Sequence, residues 1–406
     1  MKIFAALGPG DIVGAHRKQI TASSVTSETS IVYSGQLLEF CRFRGMEILA
    51  VSHHPRADHL LDGVIEVENR PIFMASATGL MFHAAWMLRG IYLAYRARRF
   101  GADFALINSG STHYFALAAF WLFGIPTAVD FHNALWPAGS PEKGFVKRTI
   151  RALDGLYFRL LCFGTMGVSE ECGRQVQALA QREIPFFGYK SQFRAEEFSN
   201  YPVRMPMEDG IFRLTFAGRV EQNKGALDLI TIADLLRSHP VKIDVCGGGP
   251  SLGDLQKQAR EKKLDSAITI HGALERPALL GVYRNSDAVI VPTRSDFAEG
   301  LPRACVEAAL CGLPIVTSKL SNALDSLGPA IVEAEPDIAK SYAEAILTLV
   351  KSPKTCLQIR TACPTITQPF LNRDNGLASA FDRLLALSST NWKPLSSYAP
   401  TFERLV

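Results

Sequence analysis

Short apolar runs rich in β-branched residues recur along the chain, each followed by a stretch of helical periodicity, and this alternation constrains the fold more than any other feature. In the first half the runs fall near residues 2 to 7, 47 to 52, 104 to 109, 126 to 131 and 165 to 168, with helices expected between them, notably over 32 to 44, 75 to 100 and 143 to 161. Strands separated by helices lie parallel in a sheet covered on both faces, which makes the chain α/β. The stretch "IPFFGYKSQFRAEEFSNYPVRMPMEDG" (184 to 210) breaks the rhythm with three prolines and no clear period, as an interdomain linker would. A second series follows, with strands expected at 212 to 217, 241 to 245, 267 to 270, 287 to 292 and 313 to 317, and helices near 225 to 237, 250 to 262, 275 to 283, 302 to 311 and 337 to 351. The predicted division is a Rossmann-like domain over 1–188, a linker over 189–210 and a second Rossmann-like, doubly wound domain over 211–372. Residues 373–406 are expected to hold a helix (376 to 387) that can cross back to the first domain, then a loose tail from Ser388.

The bulk properties agree with two ordinary globular domains: 406 residues, 48% hydrophobic and 20% charged, with a net charge of +4 that gives no argument for nucleic acid. The eight cysteines show no CxxC or Cys/His metal spacing, and Cys41, Cys162 and Cys305 sit in apolar settings, so reduced core thiols in the cytoplasm are expected. The opening "MKIFAALGPGD" reads as a first strand and loop rather than a signal peptide. The longest apolar tract, 114 to 129, is interrupted by Gly124-Ile125-Pro126 and falls short of a membrane-spanning helix.

The second half carries the sharper chemical signals. In "FAEGLPRACVEAALCGLPIV" (297 to 316), Pro302 suits the start of a helix and Gly312 the left-handed residue just past its end. Glu299 stands at the entrance and Glu307 about 1.5 turns inside an otherwise apolar helix, where an ionised carboxylate needs a partner. Helix N-termini attract anions, and Gly300 would let a phosphate approach the backbone. A ligand with phosphates and sugar hydroxyls fits this pair; so does a cap plus a structural ion pair. "LTFAGRVEQNKGALDLI" places Gly218, Arg219 and Lys224 between a strand and a helix, where cations can grip a diphosphate. "IDVCGGGP" ends another strand with Gly247, Gly248 and Gly249, which would let a nucleotide lie against the backbone. Three such sites at strand ends in one doubly wound domain should converge on one crevice.

"FAGRVEQNKG", "CGGGP", "ITIHGAL" and "EGLPRACVEAALCGLPIV", in that order, resemble the C-terminal domain of the group 1 (family 4 type) glycosyltransferases, retaining nucleotide-sugar enzymes of the two-domain GT-B fold. The resemblance is strong over about residues 210 to 350 and includes the family's E-x7-E pattern, met by Glu299 and Glu307. It implies two Rossmann-like domains facing a cleft, the first holding the acceptor and the second the donor. By the same resemblance, Arg219 and Lys224 stabilise the departing diphosphate, Glu307 holds the ribose hydroxyls, and Glu299 with Gly300 and Leu301 holds the donor sugar and phosphate. Gly218, Gly248 and Gly249 complete the donor site. In the first half the resemblance is fainter. "GPGD" places Gly10 where the family has a glycine-rich loop, without its usual Gly-Gly pair, and "PTAVDFHN" places His132 where the family has a histidine beside the reacting sugar.

The implied activity is retaining transfer from a nucleotide sugar to an acceptor hydroxyl in glycan, polysaccharide or glycolipid synthesis, with His132, Arg219, Lys224 and Glu299 as the catalytic set. No Asp-x-Asp occurs in the chain, and two cations with a helix N-terminus can neutralise a diphosphate, so no metal or other cofactor is expected. Expected partners are the nucleotide-sugar donor and a glycan or lipid-linked acceptor, with no nucleic acid. "LRGIYLAYRARRF" (88 to 100) and "EKGFVKRTIR" (142 to 151) are basic and partly amphipathic, with Lys143, Lys147 and Arg151 on one face. They admit either a solvated helix face or an anionic membrane surface, hence a cytoplasmic protein able to sit at the inner face of the membrane. A nucleotide-sugar epimerase of the same architecture and a catalytically silent interaction subunit are the alternatives.

Overall fold

The computed structural model describes residues 1–21, 31–74, 76–137, 144–199 and 204–388; Lys143, part of the expected linker and the expected tail beyond Ser388 lie outside them. Eight strands form the first sheet: β1 (Lys2–Ala6), β2 (Glu47–Ser52), β3 (Asp58–Asp62), β4 (Ile65–Asn69), β5 (Phe104–Asn108), β6 (Thr127–Phe131), β7 (Cys162–Gly167) and β8 (Phe186–Gly188). Six form the second: β9 (Phe212–Ala217), β10 (Val241–Cys246), β11 (Ile268–Gly272), β12 (Ala288–Val291), β13 (Ile315–Thr317) and β14 (Ile331–Glu333). Their orders are β3-β4-β2-β1-β5-β6-β7-β8 and β11-β10-β9-β12-β13-β14, parallel except for the β3–β4 hairpin. Each sheet therefore reverses winding once, beside β1 and beside β9, and the strand ends at such a reversal open a crevice.

The two-residue period of β1 shows how the first sheet is covered. Ile3 and Ala5 pack with Leu37 and Phe40 of the helix Tyr33–Phe43 and with Phe381 of Leu377–Ala386. Phe4 and Ala6 belong to the opposite layer, with Leu93 of Gly79–Phe100, Phe120 of Ala118–Leu122 and Phe158 of Phe145–Leu160. The expected strands are all present, with bounds that shift by a few residues. The β3–β4 hairpin, β8 and β14 go beyond the sequence reading, as do the helices Ile12–Ile20, Glu170–Ala180 and Pro353–Leu371. The last carries Pro364 and Pro369 inside it, which hides its helical period, and β8 lies inside the stretch read as irregular from 184.

The chain crosses between the domains twice. After β8, the backbone N–H groups of Lys190 and Phe193 donate to the carbonyls of Asn375 and Phe370 at 2.7 and 2.9 Å, so the two crossings run side by side. The helix Leu377–Ala386 then returns to the first sheet, where Phe381 meets Phe40 edge-on at 5.6 Å and Asp382 pairs with Arg44. All eight cysteines are buried and none forms a disulfide. Burial pushes the Cys162 thiol up to about 12, so it stays protonated.

Candidate functional site

The ends of β1, β5 and β6 face those of β9, β10 and β12 across a cavity of about 780 Å³, a size suited to a small-molecule ligand. Of the residues singled out in the sequence, Gly10, His132, Gly218, Arg219, Lys224, Gly248, Glu299, Leu301 and Glu307 line it together. Gly249 and Gly300 are not among the residues that line it.

Gly300 lies at a close approach between the two domains. A Cβ there would lie 2.2 Å from the carbonyl oxygen of His132 and 2.9 Å from Val168, so the absence of a side chain lets the two domains touch. The Ala134 N–H donates to the Glu299 carbonyl at 3.3 Å across the same junction. Gly247 follows the same logic inside the second domain: with φ at +155°, its missing Cβ would meet the Gly218 carbonyl at 1.8 Å. Gly8 and Gly10 are different, because a Cβ on either would meet nothing within 4 Å.

On the second-domain side, Lys224 closes the short 3-10 turn Gln222–Lys224, and its Nζ donates to Glu299 Oε2 at 2.5 Å. Thr293 Oγ1 donates to the same oxygen at 3.2 Å, and the Phe297 ring lies 4.1 Å from the ammonium. Lys224 and the buried Glu299 thus hold each other in one geometry. Arg219 is looser: it is 60% exposed and paired with Glu221 at 2.8 Å. Glu307, one turn into the helix Arg303–Leu310, receives a hydrogen bond from Tyr283 Oη at 2.9 Å. Tyr283 is therefore a partner the sequence did not reveal. Burial drives its phenol well above the ordinary range, so it remains a donor to the carboxylate at any working pH. Pro302 is the cap of this helix rather than its first residue, and Gly312 follows in the left-handed conformation expected of it, with φ at +70°.

On the first-domain side, His132 follows β6 with its Nε2 2.9 Å from Asp130 Oδ2. Tyr189 Oη donates to the other oxygen of that buried carboxylate at 2.8 Å. A neutral imidazole that donates Nε2–H to Asp130 has Nδ1 as its acceptor nitrogen. The Tyr33 ring packs on the imidazole at 4.7 Å, and its hydroxyl shares a hydrogen bond with Ser191. Asp130, Tyr189 and Tyr33 were not singled out in the sequence. Asp130 stood in the quoted strand, and its spacing of two puts it on the same face as His132.

Beneath the loop Gly8–Gly10, Asp11 caps the helix Ile12–Ile20 by accepting from the Gly14 N–H at 2.8 Å, which holds its carboxyl below the usual range. The apolar floor between Cys246, Ala273, Leu279 and Val291 lies on the second-domain side of the cavity. Among the described residues, no group of three or more His, Cys, Asp or Glu is placed to hold a metal ion, and no helix is long and apolar enough to cross a membrane.

Residues 206–363 match the family described as glycosyl transferases group 1. A D-inositol 3-phosphate glycosyltransferase of Arthrobacter sp. is 31% identical over 156 residues, which are 36% of this chain and 36% of that protein, so the chain spans about a third of that relative's length. Over nearly the whole chain the likeness is one of fold. Sucrose-phosphate synthase from Thermosynechococcus elongatus superposes with a TM-score of 0.68 at 13% identity, covering 96% of this chain and 100% of that one. The Anabaena protein HepE, solved in complex with UDP, gives 0.65 at 15% identity over 96% and 100%. The chain has the two-domain GT-B architecture of these proteins, and its residues 206–363 form a domain similar to those of the group 1 glycosyltransferases.

Proposed function

We propose that the chain is a retaining glycosyltransferase that moves a sugar from a nucleotide sugar to an acceptor hydroxyl without a metal ion. The observation that carries this reading is the convergence of Lys224, Arg219, Glu299, Glu307 and His132, from two domains, on one cavity at the strand ends. The diphosphate lies against Arg219, Lys224 and the backbone around Gly218, with the N-terminus of the helix Arg303–Leu310 adding its dipole. Glu307, oriented by Tyr283, takes the ribose hydroxyls, and the base lies on the apolar floor beside Ala273 and Leu279. Bond breaking leaves negative charge on the leaving phosphate, and preorganised cations stabilise it there. In the family's retaining chemistry the acceptor approaches from the same face, and the leaving phosphate accepts its proton. His132, held by Asp130, faces the sugar from the first domain.

The acceptor is a glycan or a lipid-linked hydroxyl, bound against the first domain (1–188), and the enzyme works in the cytoplasm at the inner face of the membrane. A thermal-shift screen against nucleoside diphosphates and nucleotide sugars, run in chelator, tests the donor assignment, because a ligand that binds only the folded state raises its stability. One nucleotide series should raise the unfolding temperature. Failure of every nucleotide would favour a silent interaction subunit, and conversion of the donor without any acceptor would favour an epimerase.

A further inference from the structure

The outer helical layer of the first sheet has a surface unlike the rest of the molecule. Gly79–Phe100, Ala118–Leu122 and Phe145–Leu160 turn Leu93, Phe120 and Phe158 inward. On their other side they present Leu80, Leu88, Trp121, Leu122, Phe145 and Leu160, whose exposures run from 53% for Leu88 to 85% for Phe145. Gly79–Phe100 packs beside Ala118–Leu122, and the turn Tyr114–Leu117 that leads into the latter packs beside Phe145–Leu160, so these side chains share one surface. A single exposed leucine needs no explanation; a continuous layer of large apolar side chains marks an interface.

Charge identifies what covers it. Residues 70–161 hold ten Lys and Arg against four Asp and Glu, a net +6, whereas the whole chain nets +4 and the remainder is therefore slightly acidic. Two of those four carboxylates, Asp130 and Asp154, are buried, and Asp103 accepts from the backbone N–H of Lys2. Arg98, Arg99, Lys147, Arg148 and Arg159 are exposed on the same helices as the apolar side chains. The stripe foreseen from sequence is only part of this: Lys143 lies outside the described residues, and the Arg151 guanidinium rests 3.9 Å over the Trp136 ring. Large apolar side chains interleaved with cations match an anionic bilayer, where the first enter the acyl region and the second meet the headgroups.

We propose that this outer helical face docks the enzyme onto an anionic membrane by inserting apolar side chains, with the cations as a secondary, steering contribution. The inference rests on the membrane-side reading of the function given above and specifies how that attachment is built. An attachment by charge alone dissolves in high salt, because screening removes it; an inserted apolar face does not.

The test is flotation of the full chain with phosphatidylglycerol-containing vesicles and with pure phosphatidylcholine vesicles, at low and high salt. The wild type should float with the anionic vesicles and stay largely bound in high salt. The triple variant Trp121→Ser, Leu122→Ser, Phe145→Ser should lose binding by about tenfold or more at both salts, and Lys147→Glu with Arg148→Glu should lose it mainly at low salt. Brominated lipids should quench tryptophan fluorescence in the wild type and much less in Trp121→Phe. Absence of flotation, complete release by salt, or a triple variant that binds like the wild type overturns the proposal. So does a wild-type dimer, dissolved by the triple substitution, that ignores vesicles, since the face would then join two copies. The nucleotide thermal shift of each variant reports folding and the donor site separately. Flotation without any nucleotide shift would sink the transferase reading and leave the docking face standing.

Discussion

The two walls of the cavity are built on different principles. In the second domain the candidate side chains sit in short sequence motifs at the strand-to-helix junctions, and side chains of two such motifs hold one another, as Lys224 and Glu299 do at 2.5 Å. In the first domain His132 owes its orientation to Asp130, Tyr189 and Tyr33, which come from β6, the first interdomain crossing and the helix Tyr33–Phe43. The diphosphate proposed above as the ligand of the second-domain wall is a group that a fixed motif can meet. The opposite wall, proposed above to meet the acceptor, is defined by tertiary contacts rather than by a motif.

The largest expected effect lies on the motif wall. Lys224→Ala should lower turnover by about 10² or more with the fold intact, because it removes leaving-group stabilisation and leaves Glu299 buried without its cation. Arg219→Ala should also lower turnover, by less than Lys224→Ala, since Arg219 is more exposed and paired to Glu221. Steady-state kinetics on both variants checks this, and near-normal turnover in both would remove the assigned role. On the other wall, Asp130→Asn should cut kcat by roughly 10- to 100-fold with little change in the donor KM, since it releases the imidazole from its fixed tautomer and position. A KM effect alone would make Asp130 a purely structural group.

How much of each wall was legible in the sequence follows the same division. Glu299, Glu307, Arg219 and Lys224 could be placed because Gly, Pro and charged residues at strand-to-helix junctions have local causes. Tyr283 could not, because nothing local couples it to a carboxylate 24 residues away. The β3–β4 hairpin did leave a signal, Asp62-Gly63 between two short alternating runs, that was not taken up. The helix Pro353–Leu371 was hidden by its internal prolines, and the exposed apolar layer by the fact that a helix apolar on both sides reads as a buried one.

Smaller effects refine the contrast. Glu307→Ala should weaken nucleoside diphosphate binding by about tenfold, more than Glu299→Ala does, since a hydrogen bond to a charged group contributes roughly 1.5 kcal/mol and only Glu307 is assigned to the ribose. Calorimetric titration showing equal losses would abolish that division. The smallest expected effect is one of pH on stability. Burial lowers His53 and His113 from 6.5 to about 4, so the folded protein keeps both neutral while the unfolded chain takes up protons below 6.5. Stability should therefore fall as pH drops from 6.5 towards 4 and level off below. Thermal unfolding of His113→Gln across that window should show a shallower slope, and an unchanged slope would mean that His113 plays no part in it.

The central claim is that fixed cations of the chain, rather than a bound metal, carry the leaving diphosphate while the acceptor attacks from the same face. The most direct measurement supplies the donor found by the thermal screen and an acceptor in excess EDTA and follows the product by NMR. The account predicts that most activity persists and that the transferred sugar keeps the anomeric configuration of the donor. Activity that vanishes in chelator and returns with magnesium or manganese, or a product of inverted configuration, would contradict it.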